Sequence, residues 1–304
     1  MEMQENTAGP GPSASAGMRA RHRLLAAMPV TERRLQLAGV STAVLEGGDG
    51  PPIVLLHGLG EFAAVWTRVI PALAEHHRVI VPDLPGHGAS TASGRLDADT
   101  VTAWVDALID QTCRSKPVLA GHLLGGSIAA RYAADHSDRL AHLVLVDTLG
   151  LGWFRPAPSF ALPMMGFVAR PTPRSRDRLF HRCFLDMERV GEEAGDQWEP
   201  LRDYALDRAR APGVRGAMRQ LVPRLGMPPI PAADLARITV PTTLIHGRHD
   251  LQVRLRTAEA AAARFGWPLH VIEDCRDDPA AEQPQAFLDA LRAALGTITE
   301  GEPS

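Results

Sequence analysis

The chain contains 304 residues, of which 45% are hydrophobic and 22% charged, and its formal net charge is −3. This balance suits a globular protein with a large core. The weak negative charge gives no reason to expect a nucleic acid or an anionic membrane as a partner. The longest apolar runs have the length of strands, so we expect no helix that spans a membrane.

The N-terminal region lacks the features of a secretory signal, which are a basic start and a long apolar stretch. We therefore expect a cytoplasmic protein. Residues 1–20 are rich in Gly, Pro, Ala and Ser and predict a disordered tail. The three cysteines are widely spaced and form no CxxC pair, which favours buried free thiols over a zinc site or a disulfide framework.

Short apolar runs alternate with longer helical stretches along the chain. An opening hairpin is predicted over 34–38 and 41–46. Further strands are predicted over 53–56, 79–81, 118–120, 143–146, 239–245 and 269–272. Helices are predicted over 63–74, 100–112, 124–136, 257–264 and 284–295. This alternation is typical of a parallel sheet that is covered by helices.

The alternation is interrupted between residues 149 and 231, where no strand is predicted. Aromatic residues and methionines stand there among many arginines and prolines, and we interpret the segment as a helical cap. The core would then comprise 21–148 and 232–304. Some of the cap side chains are expected to line a pocket for an apolar or partly aromatic ligand; the candidates are Trp153, Phe154, Phe160 and Met164. The alternative is that most of them form the core of the cap.

Four motifs follow one another in the chain: HGLG at 57–60, PDLPGHG at 82–88, GHLLGG at 121–126 and GRHD at 247–250. With these motifs in this order, residues 30–297 resemble the α/β-hydrolase superfamily. The resemblance implies a mostly parallel eight-stranded sheet flanked by helices, with a cap between the sixth and seventh strands. Function does not follow from a fold, so it has to be argued at the site.

The resemblance implies a nucleophile turn of the form G-x-S-x-G, in which the serine attacks the substrate. Here the turn reads GHLLG, and Leu123 occupies the serine position. A leucine has no proton to lose and forms no acyl-enzyme. We expect Leu123 to line the base of a ligand pocket; simple loss of activity is the alternative. His122 is a pocket candidate or a structural residue, and Ser127 is expected to point into the packing of helix and sheet.

The resemblance also implies a catalytic histidine shortly before the last helix. Alignment on the Glu-Gln-Pro of residues 282–284 places Asp277 at that position, with Asp278 next to it. Asp250, which follows the seventh strand in the GRHD motif, occupies the position of the triad acid. The general base of the triad is therefore predicted to be missing.

Two neighbouring carboxylates cannot both ionise cheaply, so one pKa should rise. Asp277 and Asp250 are accordingly our candidates for acid–base catalysis near neutrality. The alternative is a structural ion pair with Arg248, Arg276 or His249.

The oxyanion hole of the family uses backbone N–H groups, which survive a change of side chain. The resemblance assigns them to Leu124 and to Leu59 or Gly60. Glu61 follows directly and either contacts the substrate or lies in water. The sequence contains no phosphate-binding fingerprint and no metal-binding pattern among its histidines, so we expect neither a cofactor nor a metal.

Three hypotheses remain open. In the first, the protein is a cofactor-independent, non-hydrolytic enzyme, such as an isomerase, epimerase, cyclase or lyase, acting on a carbonyl-containing small molecule. In the second, it is a non-catalytic ligand-binding module. In the third, it is a hydrolase that uses a carboxylate-activated water. Each predicts a small-molecule partner, and none predicts the oligomeric state.

Overall fold

In the computed structural model, which describes residues 15–299, the strands form one mixed sheet. Its strands are β1 (Thr31–Leu37), β2 (Val40–Gly47), β3 (Pro52–Leu56), β4 (Arg78–Pro82), β5 (Thr91–Ala92), β6 (Val118–His122), β7 (His142–Val146), β8 (Thr242–Gly247) and β9 (Leu269–Ile272). Eight of them stand in the order β1-β2-β4-β3-β6-β7-β8-β9, and the two-residue β5 pairs with β2. The pairings from β4 to β9 are parallel, whereas β2 is antiparallel to β1, β4 and β5. The predicted mostly parallel sheet is confirmed.

Both faces of the central strands are buried, which explains their continuous apolar sequence. Every residue of β3, β6, β7 and β8 is buried. Alternate side chains point to opposite faces: Ile53 and Leu55 join one hydrophobic cluster, while Val54 and Leu56 join the other. The edge strand β1 is mostly exposed and carries two arginines, which disfavour edge-to-edge aggregation.

Helices cover both faces of the sheet. They are α1 (Ala16–Ala26), α2 (Ile70–Ala74), α3 (Ala98–Thr112), α4 (Leu124–His136), α5 (Pro158–Ala169), α6 (Pro173–Cys183), α7 (Met187–Ala194), α8 (Trp198–Arg210), α9 (Pro212–Leu221), α10 (Ala232–Leu235), α11 (Leu255–Phe265), α12 (Pro279–Glu282) and α13 (Pro284–Thr299). The predicted helix over 63–74 is divided into a 3-10 helix at Ala63–Arg68 and α2, because Pro71 has no N–H for a helical bond.

The segment between β7 and β8 contains α5 to α10, and α5 to α9 form a helical insert. No strand occurs between residues 147 and 241, which the structure describes throughout. The predicted helical insertion is therefore present. Within the described range, no helix has the length and apolar character needed to cross a bilayer.

The tail predicted over residues 1–20 overlaps an ordered helix. Residues 1–14 lie outside the described range, but α1 begins at Ala16, with the Ser15 side chain accepting a hydrogen bond from the Met18 N–H. This helix packs against α8 of the insert and buries Ala20 and Leu24 in the core. A segment rich in Ala and Gly gave too little apolar periodicity to predict this packing.

Arg21 attaches α1 to the core through charge. Its guanidinium is buried, donates to Glu32 at 2.5 Å and lies 3.7 Å from the Asp83 carboxylate. Asp83 in turn accepts the N–H groups of Ala63 and Ala89, each at 2.7 Å. The charges are therefore paired inside the protein, where an unpaired charge is costly.

We predict that Arg21→Met lowers the free energy of unfolding by about 3 kcal/mol, because it leaves Asp83 buried without its cation. Arg23→Met is the matched control, since Arg23 is exposed on the same helix and its loss should cost less than about 0.5 kcal/mol. Urea denaturation measures both values. Equal losses in the two variants would contradict the assignment.

Candidate functional site

A sharp turn joins the end of β6 to the start of α4, and Leu123 stands at its tip. Its backbone has φ of +47° and ψ of −108°, a conformation that residues with a side chain rarely adopt. Two glycines permit the turn: a Cβ on Gly125 would overlap the carbonyl oxygen of Leu56, and a Cβ on Gly121 would overlap Gly125. The predicted tight turn is therefore present, with an apolar residue at its tip.

Leu123 is buried in the hydrophobic cluster that joins the sheet to the insert. Only 2% of it is exposed, and the cluster includes Leu149 and Leu225. Ser127, one helical turn later, is fully buried and donates to the Leu225 carbonyl at 2.5 Å. Its hydroxyl therefore joins α4 to the insert, and the predicted orientation toward the interface of helix and sheet is wrong.

His122 connects three loops of the site. Its Nδ1 lies 3.2 Å from the Glu61 carboxylate, and its Nε2 lies 2.5 Å from the Asp277 carbonyl oxygen. Both partners are acceptors, so both ring nitrogens must carry a proton. Glu61 also accepts the Gly58 N–H at 2.5 Å. The side chain thus bridges the turn after β6, the loop after β3 and the loop after β9.

The two charges of this bridge stabilise each other. Burial opposes a charged imidazole, but the Glu61 carboxylate outweighs it and raises the pKa of His122 well above the ordinary value. Burial likewise opposes the Glu61 carboxylate, yet His122 lowers its pKa. Glu61 and His122, both predicted as pocket residues, use their polar atoms on each other and on the backbone. Contact with a ligand stays a prediction for both.

Backbone N–H groups near the turn remain available for a ligand. Leu124 begins α4, and Gly60 adopts φ of +74° in the loop after β3. The N–H groups of Leu59, Gly60 and Leu124 donate to no other atom among residues 15–299. Preorganised donors of this kind can hold an oxyanion, so the structure leaves the predicted role open to these three residues.

Asp277 lies in the loop after β9 and is 5% exposed. One carboxylate oxygen, Oδ2, accepts the Gln252 side-chain amide at 3.3 Å. The other, Oδ1, is buried and has no hydrogen-bond partner in the described part of the chain. Burial, followed by the neighbouring Asp250 carboxylate, raises the pKa of Asp277 well above its ordinary range.

Asp250 is held beside Asp277 by the residue that connects them. Its two oxygens accept the backbone N–H groups of Gln252, at 2.6 Å, and Val253, at 3.0 Å. Burial raises the pKa of Asp250 to about 7, although these two hydrogen bonds lower it. Gln252 therefore contacts both carboxylates, one through its backbone and the other through its side chain. The predicted proximity of the two acids, with raised pKa values, agrees with this geometry.

The alternative of a structural ion pair with nearby cations is wrong for the arginines. Arg248 is exposed and forms an ion pair with Glu273. Arg276 donates to two backbone carbonyls, those of His181 and Phe184. His249 is exposed, and no ion pair joins it to another residue in the described range. The strand and the loop direct these side chains outward, while both carboxylates point inward.

A buried Asp–His pair, which the sequence did not predict, lies beneath Asp250. Asp147 follows β7 and His246 lies within β8; Asp147 Oδ1 is 3.3 Å from His246 Nδ1 and accepts the Gly247 N–H at 2.9 Å. His246 Nε2 faces the Val253 carbonyl and must donate to it. Burial raises the pKa of Asp147 well above its usual range and lowers that of His246 to about 4. Burial therefore favours the neutral form of both groups.

Asp147, His246 and Asp250 offer donor atoms that all lie within 4.8 Å of one another, which is a spacing relevant to metals. The two carboxylates, however, flank opposite nitrogens of the imidazole. The Asp250 oxygens already accept backbone N–H groups. These contacts with the backbone account for the cluster without a common ion. The only signal in the sequence was an aspartate placed directly after a buried strand.

The predicted aromatic residues do not share one pocket. Trp153 is exposed, whereas Phe160 is buried and Phe154 and Met164 are half-buried. Trp153 and Phe154 line a cleft of about 40 Å³ that also includes Gln252. A larger polar groove of about 630 Å³ lies beside Leu185 and Asp274. Neither Leu123 nor Asp277 lines either space, so both are covered in this conformation.

Residues 51–283, well over half of the chain, match the sequence profile of the family described as alpha/beta hydrolase fold. The chain therefore belongs to the α/β-hydrolase fold family. Its sheet order, tight turn and helical insert provide the structural basis for that assignment.

The named relatives of the chain include an esterase and a hydrolase, and also an acetyltransferase component of an acetoin cleaving system, which is 43% identical over 58% of this chain and 45% of that protein. The pimeloyl-(acyl-carrier protein) methyl ester esterase of Aromatoleum aromaticum is 32% identical over 77% of this chain and 94% of that protein. The 2-hydroxymuconate semialdehyde hydrolase of Pseudomonas sp. (strain CF600) is 28% identical over 81% of this chain and 87% of that protein. A solved structure of a bacterial membrane phospholipase A has a TM-score of 0.80 and 25% identity, covering 94% and 92% of the two chains.

Asp278 provides a test of the charge balance at the site. It caps α12 by accepting the Ala281 N–H at 3.0 Å, and burial raises its pKa to about 7. The native state then binds this proton more tightly than the unfolded state does, so the ionisation of Asp278 lowers stability as pH rises from about 4 to about 7. Asparagine keeps the cap but does not titrate.

We predict that Asp278→Asn gains stability relative to the natural chain, on the order of 2 kcal/mol, between pH 4.5 and pH 8. Urea denaturation at both pH values measures the free energy of unfolding of the variant and of the natural chain. Subtracting one from the other removes the titration of the groups that both proteins share. The exposed Asp289→Asn on α13 is the control and should show no such gain. A difference that is flat or falls with pH would contradict the prediction.

Proposed function

We propose that the protein is a hydrolase of a carbonyl-containing small molecule, such as an ester, in which a carboxylate activates water directly. One observation carries the proposal: Asp277 is buried beside the turn after β6 and keeps one carboxylate oxygen without a partner among residues 15–299. Its backbone carbonyl is bonded to His122, which fixes it next to that turn. The family membership and the names of the relatives support hydrolysis as the reaction class.

In this proposal Leu123 and Asp277 occupy the positions that a serine and a histidine hold in other members of the family. The Asp277 carboxylate takes a proton from water, and the hydroxide oxygen attacks the carbonyl carbon. The tetrahedral oxyanion is held by the N–H groups of Leu59 and Leu124. When the C–O bond to the leaving group breaks, Asp277 returns the proton to that oxygen, which yields an acid and an alcohol.

The neighbours of Asp277 set its basicity in this mechanism. Burial and Asp250 keep its pKa high, so the carboxylate is a stronger base than an exposed aspartate once it is ionised. Gln252 holds Oδ2 and thereby leaves Oδ1 for water. Asp250 acts as a positioning residue, because its contacts with Gln252 fix the donor that orients Asp277.

A second candidate is a non-hydrolytic proton transfer, such as an isomerisation, at the same site. The raised pKa of Asp277 favours it, because a protonated carboxyl can donate to a substrate carbonyl at neutral pH. The packing of Leu123 also favours it, since an apolar tip offers no partner to an attacking water. The two candidates differ in the protonation state they require.

We predict that Asp277→Asn lowers kcat/KM on short-chain p-nitrophenyl esters by about a hundredfold or more. Asp274→Asn is the matched control: Asp274 is exposed in the same loop, has φ of +49°, and asparagine tolerates that conformation. For a carboxylate base, kcat/KM should rise with pH from 6 to 8. A fall over this range would favour the protonated carboxyl and the second candidate. Ester turnover that is unchanged by Asp277→Asn would refute the hydrolase proposal.

We also predict that the double variant Leu123→Ser/Asp277→His gains esterase activity that the natural chain lacks or has only weakly. The turn already has the required backbone, and Gln252 links Asp250 to the side chain at position 277. The single variant Leu123→Ser is the control and should remain near the activity of the natural chain. Burst kinetics with p-nitrophenyl acetate would detect the acyl-enzyme. Absence of a burst in a folded double variant would show that these are not the triad positions.

A further inference from the structure

Helix α5 exposes an apolar face that nothing in the described chain covers. Its twelve residues include no charged side chain, and Phe160 is the buried one among them. Leu162, Met165 and Val168 are 70%, 63% and 58% exposed. Their spacing of three places them on one face of the helix. Trp153, five residues before the helix, is 68% exposed and extends the apolar character of the region.

Basic residues accompany this face. Arg155 and Arg170 flank α5 in the chain, and α6, which packs directly against α5, carries Arg174, Arg178 and Arg182. The last three are spaced four residues apart, so they form one stripe along α6. All five are exposed, and none forms an ion pair with a residue in the described range.

The charge of this region differs in sign from that of the whole chain. Residues 149–185 contain six arginines and a single acidic residue, Asp177, whereas the chain has a net charge of −3. Asp177 is already paired with Arg176 and Arg202. The five exposed arginines therefore keep their charge available for a partner outside the protein. The net charge of the whole chain does not reveal this local excess of positive charge.

We propose that α5, together with the arginine stripe of α6, binds the surface of an anionic lipid bilayer. A helix of twelve residues is about 18 Å long, too short for a hydrocarbon core of about 30 Å, so it lies in the interface. Apolar side chains enter the boundary between headgroups and acyl chains, and arginines contact the anionic headgroups. This surface is called the α5–α6 face below.

The positive charge of the α5–α6 face favours an anionic bilayer over a second copy of the chain as its partner. A two-fold dimer through the α5–α6 face would place the same patch on both sides of the interface. The arginine stripes would then approach each other, and like charges repel. An anionic bilayer instead provides both an apolar layer and a complementary charge.

The test measures sedimentation of the full chain with large unilamellar vesicles at about 0.15 M salt. Vesicles of 70% phosphatidylcholine and 30% phosphatidylglycerol should bind the protein, and vesicles of phosphatidylcholine alone should bind it much less. Arg174→Glu/Arg178→Glu should weaken binding about twentyfold or more. Leu162→Ser/Met165→Ser should weaken it about tenfold or more. Circular dichroism and thermal melting establish that each variant is folded.

The matched control reverses two exposed charges at the opposite end of the sheet. Arg114 and Lys116 are exposed just before β6 begins, whereas the insert follows the carboxyl end of β7. Arg114→Glu/Lys116→Glu changes the net charge by the same amount and should leave vesicle binding unchanged. Equal weakening by the two charge reversals would overturn the proposal, because it would reduce the effect to overall charge.

Two further outcomes would also overturn it. One is a natural chain that binds neither kind of vesicle. The other is a dimer, detected by analytical ultracentrifugation, that Leu162→Ser/Met165→Ser dissociates while vesicle binding stays absent. The second result would assign the α5–α6 face to self-association.

Discussion

The imidazolium of His122 is the interaction on which the arrangement of the site depends. It donates to the Glu61 carboxylate and to the Asp277 carbonyl, so one side chain fixes the turn after β6 to the loops that follow β3 and β9. A buried charge is costly without a partner, so a shift of any of the three loops would break a contact of the His122–Glu61 ion pair. The positions of the backbone donors and of the Asp277 carboxyl are therefore set by one ion pair together with the sheet.

The surroundings of this pair contain more acids than cations. Asp147, Asp250 and Asp277 are buried, and their pKa values are raised by burial before any other cause. The arginines nearest in sequence serve the surface and the backbone instead. Burial therefore favours the neutral, protonated form of these carboxyls, whereas in most buried ion clusters nearby cations neutralise the carboxylates. Such a site responds to pH through several carboxyls at once, and its titration belongs to the group as a whole.

The sequence predicted the parts of the structure that depend on local pattern. Strand β9 and helix α4 were placed at their observed bounds, because continuous apolar runs and the 3.6-residue period mark buried strands and amphipathic helices. The pairing of charges was beyond reach, since it depends on where side chains point after folding. Arg276, for example, donates to the backbone of the insert and not to Asp277. The contact between Asp147 and His246 could not be predicted either, because each residue neighbours apolar strand residues in the sequence.

The backbone conformation of the tight turn at Leu123 does not depend on the chemistry of the side chain at its tip. Gly121 and Gly125 hold the unusual backbone whether or not the residue between them can react. The fold therefore keeps a strained backbone at this turn with a leucine at its tip. In terms of evolution, the residue at this position can change while the architecture of the turn persists. The backbone of the turn and the side chain at its tip are therefore separable features of this fold.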